Sequence, residues 1–393
     1  MKTPSRFLTA ILISITASNP VVACLWDYDT LAMERQRFPD VLELISGKFL
    51  RHSTAFYQWR ASDREQRLQE QPSPEVYDDL AVAYEKLGDP EKAIAITLEK
   101  QKHFPGLYET HANLGTFYIH AGQLETGVQQ IDIAISMNPE AHFGREVYQK
   151  HLVNYVLSKQ VAKTTQLPLA TSGHGEFGPI GFADFVIAAQ GTDLSPKARD
   201  AELSKALKGV MGMMRFGNHD SPVLLEALGD LLLSQGYAQD ETHDAKRLAA
   251  RAYLKAAYGA ENDATQQAYR KLARNSLAMQ TVHENTYDEI SLEALEGTFE
   301  EELSQAKRWF KTVADDESKW ISEGADVDEA FARKYYQEPI VGWAINSELL
   351  AIGFIALASG LAGLAYHLTQ KTKGNRKKSQ TNDQSTARDR DNL

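Results

Sequence analysis

A histidine close to a carboxylate is a pairing that acid–base and metal chemistry use often, and two places in this sequence invite that reading. His174 and Glu176 stand in TTQLPLATSGHGEFGPIGFADF, a stretch with Gly173, Gly175, Gly178, Gly181 and no helical period. No second histidine lies one helical turn away. His283-Glu284 likewise lacks the following histidine of the zinc-protease motif. The glycines do not fall at the G-x-G-x-x-G or G-x4-G-K-[ST] spacings, so no phosphate cradle is expected. There is no G-x-S-x-G, no C-x-x-C and no paired nucleophile and base. Cys24 is the one cysteine, which rules out an intrachain disulfide. The expectation is a protein that is not an enzyme and holds no cofactor or metal. The 164–184 stretch reads as a surface loop, the one place where an enzyme would have to be built.

What does repeat is structural. Laid over each other 34 residues apart, Leu80, Ala81, Tyr84, Gly88 and Pro105 recur as Leu114, Gly115, Tyr118, Gly122 and Pro139. Ala93 recurs as Gly127. A small residue at Ala81 or Gly115 lets a second helix lie close against the first. Tyr84 and Tyr118 fall on the same face, three residues on. Gly88 and Gly122 permit the left-handed residue that ends a helix, and Pro105 and Pro139 stop the next one. The pattern resembles the tetratricopeptide repeat, a helix-turn-helix unit of this period, with Tyr77 and His111 at its tryptophan position. Leu225, Leu228, Gly229, Leu232 and Gly236 repeat the offsets of the first helix, and Ala249, Tyr253 and Ala256 those of the second. An insertion separates them, so 221–258 reads as a degenerate unit.

The resemblance implies an all-α stack of hairpins, a solenoid, that binds a protein or peptide in its concave groove. In that family the second, fifth, ninth and twelfth positions of each unit line the groove. Here they are Glu75, Asp78, Val82 and Glu85, then Glu109, Ala112, Thr116 and Ile119, then Val223, Glu226, Asp230 and Leu233. The family's lysine–asparagine carboxylate clamp is missing. Glu75, Asp78, Glu85, Glu109, Glu226 and Asp230 would instead give an acidic groove suited to a basic or amine-bearing segment.

The ends of the chain set its expected location. Lys2 and Arg6, the apolar run from Phe7 to Ala17, and Val21-Val22-Ala23 form a secretory leader over 1–23. Val-Val-Ala-Cys also resembles a lipoprotein processing site, which would lipidate Cys24; the other reading is a free thiol. Leu349 to Tyr366 is uncharged, apolar character reaches back to Ile340, and five basic residues follow. That predicts one transmembrane helix over 340–368 and a basic cytoplasmic tail over 369–393, with the body exported. The net charge is −11 with both ends basic, so the body is strongly acidic and no nucleic-acid partner is expected.

Between these ends, residues 24–73 read as an N-terminal helical cap carrying Phe49, Phe56 and Trp59, and 74–158 as the repeats. Residues 159–194 read as a Gly-rich loop region, and 195–338 as helical, with a long charged helix from Ser291 to Ser322. The reading is a membrane-anchored interaction scaffold. A structural subunit of a cell-envelope complex and an enzyme using the 164–184 loop stay open beside it.

Overall fold

The first helix starts are written in the local sequence. Asp40 and Glu43 form a reciprocal capping box on α1 (Val41–Ser46), which Gly47 ends at φ 81°. Ser53 caps α2 (Thr54–Glu70), Ser73 caps α3 (Pro74–Lys86) and Asp89 caps α4 (Pro90–His103). The last two carry proline in the first turn, where a missing N–H costs nothing. Next come α5 (Tyr108–His120), α6 (Leu124–Met137) and, after one 3-10 turn, α7 (Arg145–Lys159). Then follow α8 (Gly181–Gln190), α9 (Pro196–Phe216), α10 (Pro222–Gln239), α11 (Asp244–Tyr258) and α12 (Asp263–Ala278). The long α13 (Leu292–Ser322) and the short α14 (Val327–Tyr335) complete the body.

This computed structural model describes residue 27 and residues 38–139, 141–170, 180–191, 194–239, 244–278 and 290–336. The leader, Cys24, the His174–Glu176 and His283–Glu284 pairs, the apolar segment at 340–368 and the tail lie outside the described residues. Among the described residues the protein is all-α, with no strand, and no helix is long and apolar enough to cross a membrane.

The two 34-residue units are helical hairpins that cross where small residues were expected. Ala81 and Ala93 are fully buried between α3 and α4. In the next hairpin Gly115 of α5 meets Gly127 and Ile131 of α6. A Cβ on Gly115 would stand 2.6 Å from Ile131 Cγ1, and one on Gly127 only 2.8 Å from the Gly115 carbonyl oxygen. Gly88 and Gly122 take φ of 84° and 75°, the left-handed conformation that glycine adopts without strain. The 221–258 segment is also a hairpin. A Cβ on Gly229 of α10 would fall 2.6 Å from the ring of Tyr253 on α11. Gly236 does not end α10, which runs on to Gln239, so part of the insertion is extra helix.

Two further expectations are corrected. The 159–194 region is not all loop, because Gly181–Gln190 is a helix whose Phe182, Ala183 and Val186 are buried against α7, α9 and α10. The N-terminal aromatics do not simply cover the first repeat. Phe56 stacks on His52 at 3.6 Å beside Phe331 of α14, while Phe49 joins the main core. It is Tyr57, Ala61 and Leu68 of α2 that pack on α3. Neighbouring helices pack in sequence from α2 to α7, then through α9 to α13, and α13 returns to α2. Two buried contacts fasten that return. Glu317 of α13 takes His52 Nδ1 at 2.6 Å and the Ser53 amide at 2.9 Å. Arg60 and Arg64 of α2 both bind Asp328 of α14, and they also reach Asp27 and Asp79.

Candidate functional site

The twelve groove positions are mostly inside the protein. Val82, Ala112, Thr116, Ile119, Val223 and Leu233 are all buried. Gln149 of α7 donates to the Thr116 hydroxyl at 3.3 Å, and Lys86 at the end of α3 donates to the Phe216 carbonyl at the end of α9. One hydrogen bond from α7 thus reaches a groove position, and the end of α3 is tied to the end of α9.

Four of the six acidic groove residues are consumed there, which corrects the expectation of an acidic groove without bases. Asp78 is 4% exposed, pairs with Lys100 Nζ of α4 at 2.6 Å and accepts from Asn113 Nδ2 of α5 at 3.1 Å. Burial pushes its carboxyl up to about 7, with the Lys100 ammonium and Asn113 amide pulling the other way. Glu85 binds His120, its neighbour on α5. Glu226 and Asp230, each 1% exposed, are taken up between α10 and its neighbours. Glu75 and Glu109 alone among the six stay open, Glu75 exposed and Glu109 half-buried, in equivalent first-turn positions of α3 and α5. The Ser73 hydroxyl and its own helix-start amide hold Glu75 below the usual carboxylate range.

The structure brings Glu226 and Asp230 together one turn apart on α10, facing the segment that the glycines mark. Glu226 accepts the Leu169 and Ala170 amides at 3.0 and 2.8 Å and the Tyr269 hydroxyl at 2.9 Å. Asp230 accepts the Phe182 amide at 2.8 Å and the Tyr253 hydroxyl at 2.7 Å. Ser234, one turn further on, accepts the Ile180 amide at 3.3 Å. One face of α10 thus holds both flanks of the 171–179 segment by backbone groups that would otherwise be buried unpaired. Gly181 is required there, since it sits at φ 50° and a Cβ would fall 2.0 Å from Asp230 Oδ2. Burial, then the Glu226 charge, drives the Asp230 carboxyl well above its ordinary value, against the Tyr253 hydroxyl and Phe182 amide. Burial also raises Glu226, against the Ala170 and Leu169 amides and Tyr269. The pair is sealed from solvent, so its chemistry is anchoring. Tyr155, also buried, points its hydroxyl at no hydrogen-bond partner among the described residues.

Beside this cluster a cavity of about 450 Å³ opens between Thr165–Leu167, Pro222 and the α11–α12 connection, with Tyr269 in its wall. Among the described residues no group of three or more His, Cys, Asp or Glu could hold a metal ion. Lys100, Asn113 and Tyr269 carry no mark in the sequence, and Tyr253 is marked there only as a repeat position. One signal for them was available. Asp78 shares a helix face with Ala81 and Val82, and an acid inside an apolar stripe needs a partner. No family model matches the chain, and no curated protein matches it significantly.

Proposed function

We propose that the protein is an exported, membrane-anchored scaffold of tetratricopeptide type that binds protein or peptide partners. One observation carries the reading: hairpins repeat at a spacing of 34 residues and cross through small residues at equivalent positions, Ala81 with Ala93 and Gly115 with Gly127. A solenoid built this way presents surface rather than chemistry. The leader at 1–23, the apolar segment at 340–368 and the basic tail at 369–393 support export of the body and retention of the tail in the cytoplasm. Because most groove positions are buried, the partner meets the two open carboxylates, Glu75 and Glu109. Two open carboxylates at equivalent positions suit a basic segment, and their charge acts mainly on association rate and partner choice.

A second reading, a structural subunit of an envelope complex, draws support from the clasp of α13 and α14 on α2, directly before the apolar segment. Purifying the full chain from membranes separates the two. Substoichiometric companions support the scaffold, and a stoichiometric companion supports the subunit. If neither is recovered, the interaction reading fails. A reporter active only in the cytoplasm, fused after Glu338, is expected to be silent; activity there would overturn the topology.

A further inference from the structure

The cavity beside Tyr269 has a fixed apolar wall and a polar rim. Tyr269 of α12 is fully buried, and its hydroxyl is engaged with Glu226, so it offers the cavity aromatic surface. Leu167 and Pro222, both half-buried, extend that apolar patch. Two hydrogen bonds hold the 165–167 segment in place. The Thr265 hydroxyl donates to the Leu167 carbonyl at 3.4 Å, which ties the segment to α12. Gln160 Nε2 donates to the Thr165 hydroxyl at 3.2 Å, which ties it to the end of α7.

The polar side chains of the lining keep hydrogen-bonding capacity in reserve. The Thr165 hydroxyl accepts from Gln160, which leaves its own proton to donate, and the Thr265 hydroxyl donates, which leaves its lone pairs. Asn262 Oδ1 accepts the Thr265 amide at 2.9 Å, so the two protons on Nδ2 stay available. The side chains of Gln166 and Glu261, exposed at the rim, bond to nothing among the described residues.

Charge narrows what fits. No lysine, arginine or histidine lines the cavity, so a phosphate or carboxylate would meet Glu261 with no base to offset it. An ammonium would gain little from Glu261, because water screens an ion pair at an exposed carboxylate. The lining suits a neutral molecule that donates and accepts repeatedly and has an apolar face. A sugar ring has both properties: every hydroxyl donates and accepts, and the C–H face of the ring lies flat on aromatic or proline surface. The volume, about 450 Å³, falls within the range of about 300–1,000 Å³ usual for small-molecule sites.

We propose that this cavity binds a neutral saccharide, a second function that does not depend on the scaffold reading. The test is saturation-transfer NMR on the full-length protein with four versions of one ring: glucose, N-acetylglucosamine, glucosamine and glucose 6-phosphate. Saturable binding at millimolar concentration is expected for glucose or N-acetylglucosamine, with glucosamine and glucose 6-phosphate no tighter. Gln166→Ala removes a rim amide that holds nothing else, and is expected to weaken binding about fivefold, the scale of one neutral hydrogen bond. Ala264→Trp fills the mouth from the exposed first turn of α12 and is expected to abolish binding. Should Ala264→Trp lose its helical circular dichroism, Gln166→Ala decides alone. No saturable binding of either neutral sugar at tens of millimolar would overturn the site. Tighter binding of glucosamine would make it an ammonium site, tighter binding of glucose 6-phosphate an anion site, and either would overturn the proposal. Wild-type affinity in both variants would place the sugar elsewhere and overturn it too.

Discussion

Replacing Gly127 with alanine adds a single methyl group at the point where α5 and α6 touch. Its carbon would stand 2.8 Å from the Gly115 carbonyl oxygen and 2.5 Å from Ile119 Cγ1. Ile119 is 1% exposed and cannot swing away. The carbonyl is backbone, so ordinary contact requires the two helices to part by roughly 0.6 Å in a close-packed interior. Overpacking of this kind costs about 1–3 kcal/mol, and a backbone obstacle puts it at the upper end. Alanine returns about 1 kcal/mol in helix propensity. The net loss is about 2 kcal/mol, which lowers Tm by about 4–8 °C. Gly297→Ala is the control. It adds the same methyl to exposed α13, where nothing lies within 4 Å, and is expected to raise Tm by about 2–4 °C. Thermal melts followed by far-ultraviolet circular dichroism compare the two. A Gly127→Ala protein as stable as wild type, or a Gly297→Ala protein equally weakened, would refute the close-crossing argument.

Gly181→Ala places a carbon against Asp230 and is expected to cost more than Gly127→Ala, whereas Gly88→Ala, with open space but a left-handed backbone, should cost about 1–2 kcal/mol by chemical denaturation. Asp78, raised to about 7 by burial, binds its proton more tightly folded than unfolded, so stability is lost as pH climbs from 3.8 to about 7. Asp78→Asn is expected to flatten that decline by up to about 1.4 kcal/mol per pH unit, and an unchanged slope would count against it. Asp78→Lys would set a second ammonium against buried Lys100 and is expected to unfold the hairpin, seen as lost helical signal, so it does not report on binding. Glu75→Lys with Glu109→Lys, at the accessible edge, should leave Tm within about 2 °C of wild type.

The hairpins were legible because their marks are local. Gly88, Gly122, Pro105 and Pro139 punctuate helices wherever they occur, and a small residue opposite a large one reports a close crossing. Ser195 with Pro196, and Ser291, start α9 and α13 in the same local way, each serine accepting the amide three residues on. The groove was less legible, because burial of Asp78 and Glu226 depends on which distant helices cover them. Even so, α10 carried a warning. Leu224, Leu225, Ala227, Leu228, Leu231 and Leu232 surround Glu226 and Asp230 on all sides of the helix, and a helix apolar all round is a buried one. What no spacing could disclose is that the two acids would hold the flanks of the glycine-marked segment. Those contacts join residues 48 to 57 positions apart.

The scaffold reading is tested most directly by quantifying the companions that co-purify with the full-length protein from membranes, for wild type, the Glu75→Lys/Glu109→Lys variant and Gly297→Ala. The account predicts that companions recovered with wild type and Gly297→Ala fall several-fold with the double reversal, and fall likewise for wild type as salt shortens the screening length below about 8 Å. Equal recovery with the double reversal, at equal thermal stability, would contradict it.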